Sequence, residues 1–165
     1  MYALGIDGGG SRTRALLCDT HGQIIGQGLS GGTNPRVYTA AELKAHLQEA
    51  LEQATRAIDC SKILTAHFGL AGAGDSLVRT QVKAITKELL SEQTTISIGH
   101  DLEIALAGGL GSNTGLVLVA GTGSACYGRS YDGRSASCGG WGDLVDDAGS
   151  GSWIGLRAQI GRAHV

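Results

Sequence analysis

The chain is poor in aromatic side chains and in net charge. Aromatic residues make up 4% of its 165 residues, and 13 Lys and Arg stand against 15 Asp and Glu, which gives a formal net charge of −2. Few aromatics argue against base stacking, and the lack of a basic excess argues against nucleic acid or an anionic membrane as a partner. No apolar run approaches the length of a membrane-spanning helix. We therefore expect neither a nucleic-acid nor a membrane partner.

Cysteine is also sparse, and its spacing excludes a familiar metal or redox motif. The four cysteines, Cys18, Cys60, Cys126 and Cys138, are far apart in sequence and form no C-x-x-C pair. Without a secretory signal, such thiols are expected to be reduced rather than bridged or metal-bound. The expected location is the cytoplasm.

Two common phosphate-binding fingerprints are missing. No G-K-[ST] sequence occurs, which excludes a P-loop. Residues 26–31 match G-x-G-x-x-G, but a loop with Asn34 and Pro35 follows where a dinucleotide fold needs a helix. A phosphate would have to be bound by another kind of glycine turn.

Glycine is abundant, with 28 residues, and two glycine-rich turns follow apolar strands. The first, "GIDGGGSR" at residues 5–12, lies between "YALGID" and "TRALLCD", which both have strand character. Such a turn can adopt positive φ, approach a ligand closely and offer successive amides to an anion. Asp7 would then face a phosphate and its metal ion. The second turn is Gly121-Thr-Gly-Ser124, and for either turn alone a purely structural role is equally plausible.

The order of elements predicts an α/β fold. Strands are predicted at 2–7, 13–19 and 23–28, followed by a helix that Thr39 and Glu42 open as a capping box. Strand "LTAHFGLAG", a helix capped by Asp75 and running to about Leu90, strand "TTISIG" and the short helix "DLEIALAGG" ended by its glycines follow. A mixed five-stranded sheet is expected in a first domain at 1–113. A second, similar domain begins at 114–165 with strands "GLVLVAGTGS", "ACYGR" and "SASCGG".

Asp101 has two interpretations that the sequence leaves open. It lies between a strand and a helix, so it can cap that helix. It can equally act as a general base at the carboxyl end of a strand, where α/β sheets collect catalytic groups. His100 beside it is the rival base.

The densest stretch is "GGWGDLVDDAGSGSWIG" at residues 139–155, a glycine-rich loop that leads into a helix near Ser150 or Ser152. It crowds two tryptophans among aspartates and glycines. Trp141 and Trp153 could each serve simply as a core anchor.

These segments together resemble one family. The set "GIDGGGSRT", "GTNP", "GLAGAG", "HDLEIAL", "VAGTGSACYG" and the 139–155 stretch is similar to the N-acetylglucosamine kinase family and the related BadF/BadG-type ATPases. These belong to the sugar-kinase, actin and Hsp70 superfamily. The resemblance implies a ribonuclease H-like, actin-like ATPase lobe followed by the start of a second one.

The resemblance also implies roles for particular residues. It places Asp7 near Mg²⁺ and Asp101 as the base that takes a proton from the acceptor hydroxyl of the sugar. Two further groups of residues are implied to contact ligands. The nucleotide group is Gly8, Gly9, Gly10, Ser11, Thr13, Gly121, Thr122, Gly123 and Ser124. The substrate group is Asn34, Asp101, Gly140, Trp141, Asp147 and Gly151.

The chain departs from the family in two places. Asp146-Asp147-Ala148-Gly149-Ser150 stands where Gly-Asp-Glu-Gly-Ser is usual, and Ala125 stands where vertebrate-type kinases carry an amide. These changes leave the preferred sugar open.

The resemblance implies an ATP- and Mg²⁺-dependent kinase of N-acetylglucosamine or glucosamine. We expect the chain to be an amino-terminal fragment, inactive by itself, of a protein that could form a homodimer. The alternatives are an ATPase activator that drives electron transfer to an acyl-CoA dehydratase, and a non-catalytic nucleotide- or sugar-sensing module.

Overall fold

The computed structural model describes residues 1–112, 114–121, 123–142 and 144–162. It divides into two compact units, Met1–Ile104 and Ala105–Val165. The elements are β1 (Tyr2–Gly8), β2 (Arg12–Asp19), β3 (Ile24–Gly31), α1 (Ala40–Thr55), β4 (Ile63–Leu70), α2 (Ser76–Lys87), β5 (Thr95–Gly99), α3 (Asp101–Leu110), β6 (Gly115–Ala120), β7 (Ser124–Arg129), β8 (Ser135–Gly139) and α4 (Gly151–Arg162). The division falls inside α3, and the boundary at 113/114 stays a prediction.

The first unit is built on the mixed five-stranded sheet that the sequence predicted. Its strand order is β3-β2-β1-β4-β5. The pairs β1–β2 and β2–β3 are antiparallel, whereas β1–β4 and β4–β5 are parallel. The carboxyl ends of β1, β4 and β5 therefore meet at one edge of the sheet, where ligands of α/β proteins usually bind.

One face of this sheet supplies the core. Alternate residues of the strands point toward α1 and α2, as the period of two requires. The buried side chains of this core are Leu4, Ile6, Ala15, Leu17, Leu43, Leu47, Ala50, Leu51, Ala54, Ile63, Ala66, Phe68, Leu70, Ala73 and Val82.

The predicted helix starts of the first unit are confirmed. Thr39 caps α1 in a capping box with Glu42, and the Asp75 carboxylate accepts the amides that open α2. The end of α2 differs from the prediction, because α2 ends at Lys87 rather than near Leu90.

Two glycines of the misleading G-x-G-x-x-G match have a packing role. A Cβ at Gly26 would overlap the carbonyl oxygen of Ala54, and one at Gly28 would overlap that of Ala50. Both carbonyls belong to α1. The glycines let this helix lie directly on β3, which explains their spacing of two residues without any nucleotide.

The second unit contains a three-stranded antiparallel sheet in the order β6-β7-β8, followed by α4. Its first element is the end of α3. The predicted short helix 101–109 is confirmed and runs one residue further, through Gly108 and Gly109 to Leu110. Gly111 then takes the left-handed conformation, with φ 59°, that commonly ends a helix.

Large apolar side chains remain exposed in this second unit, including Leu116, Leu118 and Trp141. Leu116 and Leu118 lie on the same face of β6 because they are two residues apart. No helix in the described part of the chain has both the length and the apolar character to cross a membrane.

We expect Gly28→Ala to lower the free energy of unfolding by about 1–3 kcal/mol, because the new methyl group would push α1 off β3. Urea unfolding followed by circular dichroism measures this. Gly5→Ala is the matched control, since a Cβ there meets nothing within 4 Å. Equal stability of the two variants would contradict the close approach of α1.

Candidate functional site

The first glycine turn is anchored by its carbonyl groups. The Gly8 carbonyl accepts the Ala71 amide at 2.8 Å, and the Gly9 carbonyl accepts the Thr33 amide at 3.0 Å. The Gly10 carbonyl accepts the Tyr38 hydroxyl at 2.9 Å. Three consecutive carbonyls are thus tied to the loops that follow β3 and β4.

Two amides of the same turn are unpaired among the described residues. The Gly9 amide donates to the Arg12 carbonyl at 2.9 Å. Among the described residues, the amides of Gly10 and Ser11 have no hydrogen-bond acceptor. A Cβ at Gly10 would meet nothing within 4 Å. The turn therefore presents two donors on an open side, as an anion site requires.

These glycines do not serve to supply positive φ. The sequence allowed a turn with positive φ, but none of Gly8, Gly9 and Gly10 has positive φ. At Gly8 the requirement is steric, because a Cβ would overlap the Thr33 hydroxyl and the Leu70 side chain.

Thr13 lies behind the turn and not on its ligand side. It is fully buried, and its hydroxyl donates to the Gly31 carbonyl at 2.7 Å and lies 2.8 Å from the Thr33 hydroxyl. The expectation that Thr13 contacts the nucleotide is therefore corrected. Thr13 supports the turn through Thr33.

Asp7 and Asp101 come together at the carboxyl edge of the sheet. Desolvation at the strand end raises the pKa of the Asp7 carboxyl, and the negative charge of Asp101 raises it further. Arg14, which pairs with Asp7 across β1 and β2, and Arg12 oppose the rise. Two carboxylates that repel each other in this way favour a cation between them.

His100, and not Asp101, occupies the cap position of α3. The helix begins at Asp101, and His100 Nδ1 lies 2.6 Å from Asp101 Oδ1. The Leu102 amide lies 3.0 Å from Asp101 Oδ1 and 3.3 Å from His100 Nδ1. When Nδ1 carries a proton, it donates to Asp101 Oδ1 and the Leu102 amide donates to Asp101 Oδ1 as well. His100 thus orients the Asp101 carboxylate.

A network that the sequence analysis missed fixes this corner. Glu103 Oε1 accepts the His100 amide at 3.2 Å and pairs with Arg79 at 3.3 Å. Arg79 Nε also donates to the Ala73 carbonyl at 2.7 Å. His100 is the cap residue of α3 and Glu103 is its third residue. This spacing is the one at which a glutamate side chain accepts the amide of the cap residue, so the sequence could have indicated the contact.

Asn34 lies in the loop between β3 and α1, beside the loop that follows β4. Its Oδ1 accepts the Arg36 amide at 2.9 Å, and a Cβ at Gly72 would overlap this oxygen. Gly72 has φ +80°. The predicted sugar contact of Asn34 stays a prediction, but its side chain is placed at the edge that carries Asp7 and Asp101.

The glycine turn of the second unit is joined to the loop before α4. Ser124 donates its amide to Asp147 Oδ1 and its hydroxyl to the Ala148 carbonyl, both at 3.0 Å. The Gly151 amide donates to the Gly121 carbonyl at 2.8 Å. Thr122, which the sequence predicted to contact the nucleotide, lies outside the described residues.

Asp147 is a supporting residue in this structure. It is 7% exposed and has φ 60°, the single positive φ of a non-glycine residue in the described chain. Its carboxylate also lies 2.9 Å from the position of a Cβ at Gly123. The contact of Asp147 with sugar therefore remains only a prediction, whereas its bond to Ser124 is observed.

The two tryptophans differ. Trp141 is 77% exposed, so the core-anchor interpretation is wrong for it. Trp153 is half-buried and stacks under the Arg157 guanidinium, 4.4 Å from the ring centre. Gly140, beside Trp141, has φ +78° and a Cβ there would lie 3.3 Å from that of Ala125.

A family model confirms the resemblance. The model of the BadF/BadG/BcrA/BcrD ATPase family matches residues 4–160. The chain belongs to this family. The family is one of ATPases.

Two curated relatives of this family member are kinases. It is 38% identical to the N-acetylmuramic acid/N-acetylglucosamine kinase of Clostridium acetobutylicum, over 95% of this chain and 52% of that protein. It is 33% identical to the N-acetyl-D-glucosamine kinase of Dictyostelium discoideum, over 92% and 51%. The chain spans about half the length of the curated relatives it matches.

A solved structure supports the same fold. A candidate N-acetylglucosamine kinase from Chromobacterium violaceum superposes with a TM-score of 0.77 at 27% identity. The match covers 95% of this chain and 55% of that one. The actin-like α/β fold is thereby confirmed.

We expect Asp7→Asn to raise the melting temperature at neutral pH by on the order of 1 °C, because it removes a repelled and desolvated charge. The pKa of Asp7 is higher in the folded chain than its ordinary value of 3.8. The contribution of Asp7 to stability is therefore fully present below pH 3.8 and is lost as the pH rises through the raised pKa. The gain in the variant should therefore shrink as the pH falls toward 4. Thermal unfolding without metal across this pH range measures it.

Asp132→Asn is the matched control. Hydrogen bonds from Ser130 and Arg134 lower the pKa of Asp132, so neutralising it should destabilise the chain at neutral pH. If Asp7→Asn lowered the melting temperature as Asp132→Asn does, the repulsion between Asp7 and Asp101 would be contradicted.

Proposed function

We propose that the chain is the amino-terminal part of an ATP-dependent kinase of N-acetylglucosamine or glucosamine, in a protein about twice its length. The observation that carries the proposal is the meeting of Asp7 and Asp101 beside a glycine turn whose carbonyls are tied back. The names of the kinase relatives support the sugar class, and their coverage near one half supports the longer protein.

In this proposal Asp101 is the general base. Its carboxylate, held by His100, takes the proton of the sugar hydroxyl that attacks the terminal phosphate of ATP. Phosphoryl transfer depends mainly on positioning and on neutralising charge, so one base and fixed phosphate donors are sufficient.

The glycine turns are proposed to bind phosphate, each within its own unit. Gly10 and Ser11 would donate their unpaired amides to phosphate oxygens, with Arg12 and Arg14 adding positive charge nearby. In the second unit the Ser124 amide already donates to Asp147 and the Gly121 amide to the Gly123 carbonyl, so the Gly123 amide carries the proposed contact there.

Mg²⁺ fits the first unit through its charge. Asp7 and Asp101 repel each other, and hard carboxylate oxygens are the ligands that Mg²⁺ prefers. Bound with ATP, the ion would neutralise phosphate charge. Asp7 is the proposed ligand, because Asp101 is assigned to the proton.

The substrate side is proposed around Asn34, with Gly140, Trp141 and Gly151 in the second unit. Trp141 supports this assignment because an exposed indole offers a flat apolar face of the kind that packs against a ligand ring. A cytoplasmic location and a homodimer of the longer protein belong to the same proposal.

In the longer protein, Asp101→Asn should retain sugar binding and lose turnover by roughly 10²–10⁴-fold, the usual contribution of a general base. ADP release coupled to sugar phosphorylation, with calorimetry for binding, measures both. His100→Gln is the comparison, since it should perturb the orientation of Asp101 with a smaller loss. Turnover of the Asp101 variant within a few-fold of wild type would refute this assignment.

Gly10→Val should weaken ATP binding without lowering stability. The new side chain would find open space in the ligand-free chain but would block a phosphate at the Gly10 and Ser11 amides. Titration with ATP-Mg and with sugar separates this from misfolding. A Gly10 variant that binds ATP normally would remove this turn from the phosphate site.

A further inference from the structure

Two cysteines that are far apart in sequence lie opposite each other in the second unit. The antiparallel register of β7 and β8 pairs Cys126 directly with Cys138. Directly opposed residues have Cα atoms about 4.5–5.5 Å apart and project from the same face of the sheet. That separation falls inside the roughly 4.4–6.8 Å that a disulfide spans.

Both thiols are free, and they differ in exposure. Cys138 is exposed and Cys126 is half-buried. Their neighbours on this face, Leu116 and Leu118, are also exposed, so a small reagent can reach the pair in the chain as it stands. Cys18 and Cys60, in the first unit, have no such partner among the described residues.

We propose that Cys126 and Cys138 form a dithiol site that closes reversibly to a disulfide on reaction with a small-molecule disulfide. The site is independent of the proposed kinase activity. In a reducing compartment the open dithiol is the resting form, and disulfides there are transient or redox-sensing. The sequence spacing gave no sign of the site, because only the strand register brings the two residues together.

The exchange proceeds in two balanced steps. The Cys138 thiolate attacks one sulfur of glutathione disulfide and expels one glutathione thiolate. The Cys126 thiolate then attacks the Cys138 sulfur of this mixed disulfide and expels the second. The two protein thiols lose two electrons and two protons, and one glutathione disulfide becomes two molecules of glutathione.

The position of the bond gives it a structural consequence. Cys126 follows Ser124 by two residues, and Cys138 precedes Gly140 by two. Closing the disulfide would fix β7 to β8 between the turn that Asp147 holds and the loop that carries Trp141.

The test is to treat the native, complete chain with glutathione disulfide, then denature it, alkylate the remaining thiols and measure its mass. We expect alkylation of two cysteines instead of four, no glutathione adduct, and a tryptic product that links the Cys126 and Cys138 peptides. Excess dithiothreitol should restore all four alkylations. The linked product should not form in the same time when the chain is treated in urea, because the strand register is then lost.

Cysteine variants test whether the linked product comes from Cys126 and Cys138. Cys138→Ser, at an exposed position, should abolish the linked product, whereas Cys18→Ser combined with Cys60→Ser should leave it unchanged. A stable glutathione adduct on Cys138 with Cys126 still open to alkylation would overturn the proposal. So would a bond that involves Cys18 or Cys60, or thiols that stay unreactive until the chain unfolds.

Discussion

Contact between Gly8 and the pair Thr33 and Leu70 is the constraint on which the first unit depends. Because Gly8 has no Cβ, the loop after β3 can pack directly against the end of β1. This packing brings the Thr33 amide to the Gly9 carbonyl and the Ala71 amide to the Gly8 carbonyl. The carbonyls of the turn are thus satisfied by protein, whereas the amides of Gly10 and Ser11 have no acceptor among the described residues.

The two units use different means to hold a similar turn. In the first unit the support comes from backbone groups and from the buried hydroxyls of Thr13 and Thr33. In the second unit a buried carboxylate, Asp147, accepts the Ser124 amide from a left-handed backbone position, in addition to the backbone bond from Gly151 to Gly121. A carboxylate at such a position costs of order 1 kcal/mol in backbone strain, which a charge-assisted hydrogen bond can offset.

Local chemistry was sufficient to predict much of the first unit. Thr39 and Asp75 act within three residues of their own position, so their caps could be read from the sequence. The sequence placed Asp7 and Asp101 separately at strand ends, and the sheet order brings these ends to one edge. The end of α3 could not be read in the same way, because Gly108 and Gly109 are tolerated in the helix and Gly111 ends it.

Features that depend on contacts between distant segments could not be predicted from local sequence patterns. The glycine turn could have adopted positive φ as far as the sequence showed, but it has none, and its carbonyls are bonded to Thr33, Tyr38 and Ala71 in distant loops. For the same reason the sequence could not show that Arg79 reaches Glu103, or that Asp147 is engaged with Ser124.

The three tied carbonyls also bear on how the first unit moves. Thr33, Tyr38 and Ala71 come from two different loops, yet each is bonded to the same three-residue turn. Releasing the turn breaks all three bonds at once, so the loops form one cooperative opening unit with it. The amide protons of Thr33 and Ala71 should then exchange with solvent at matching rates. Because the turn is already ordered, binding a ligand there costs little further conformational entropy of the protein, which favours affinity.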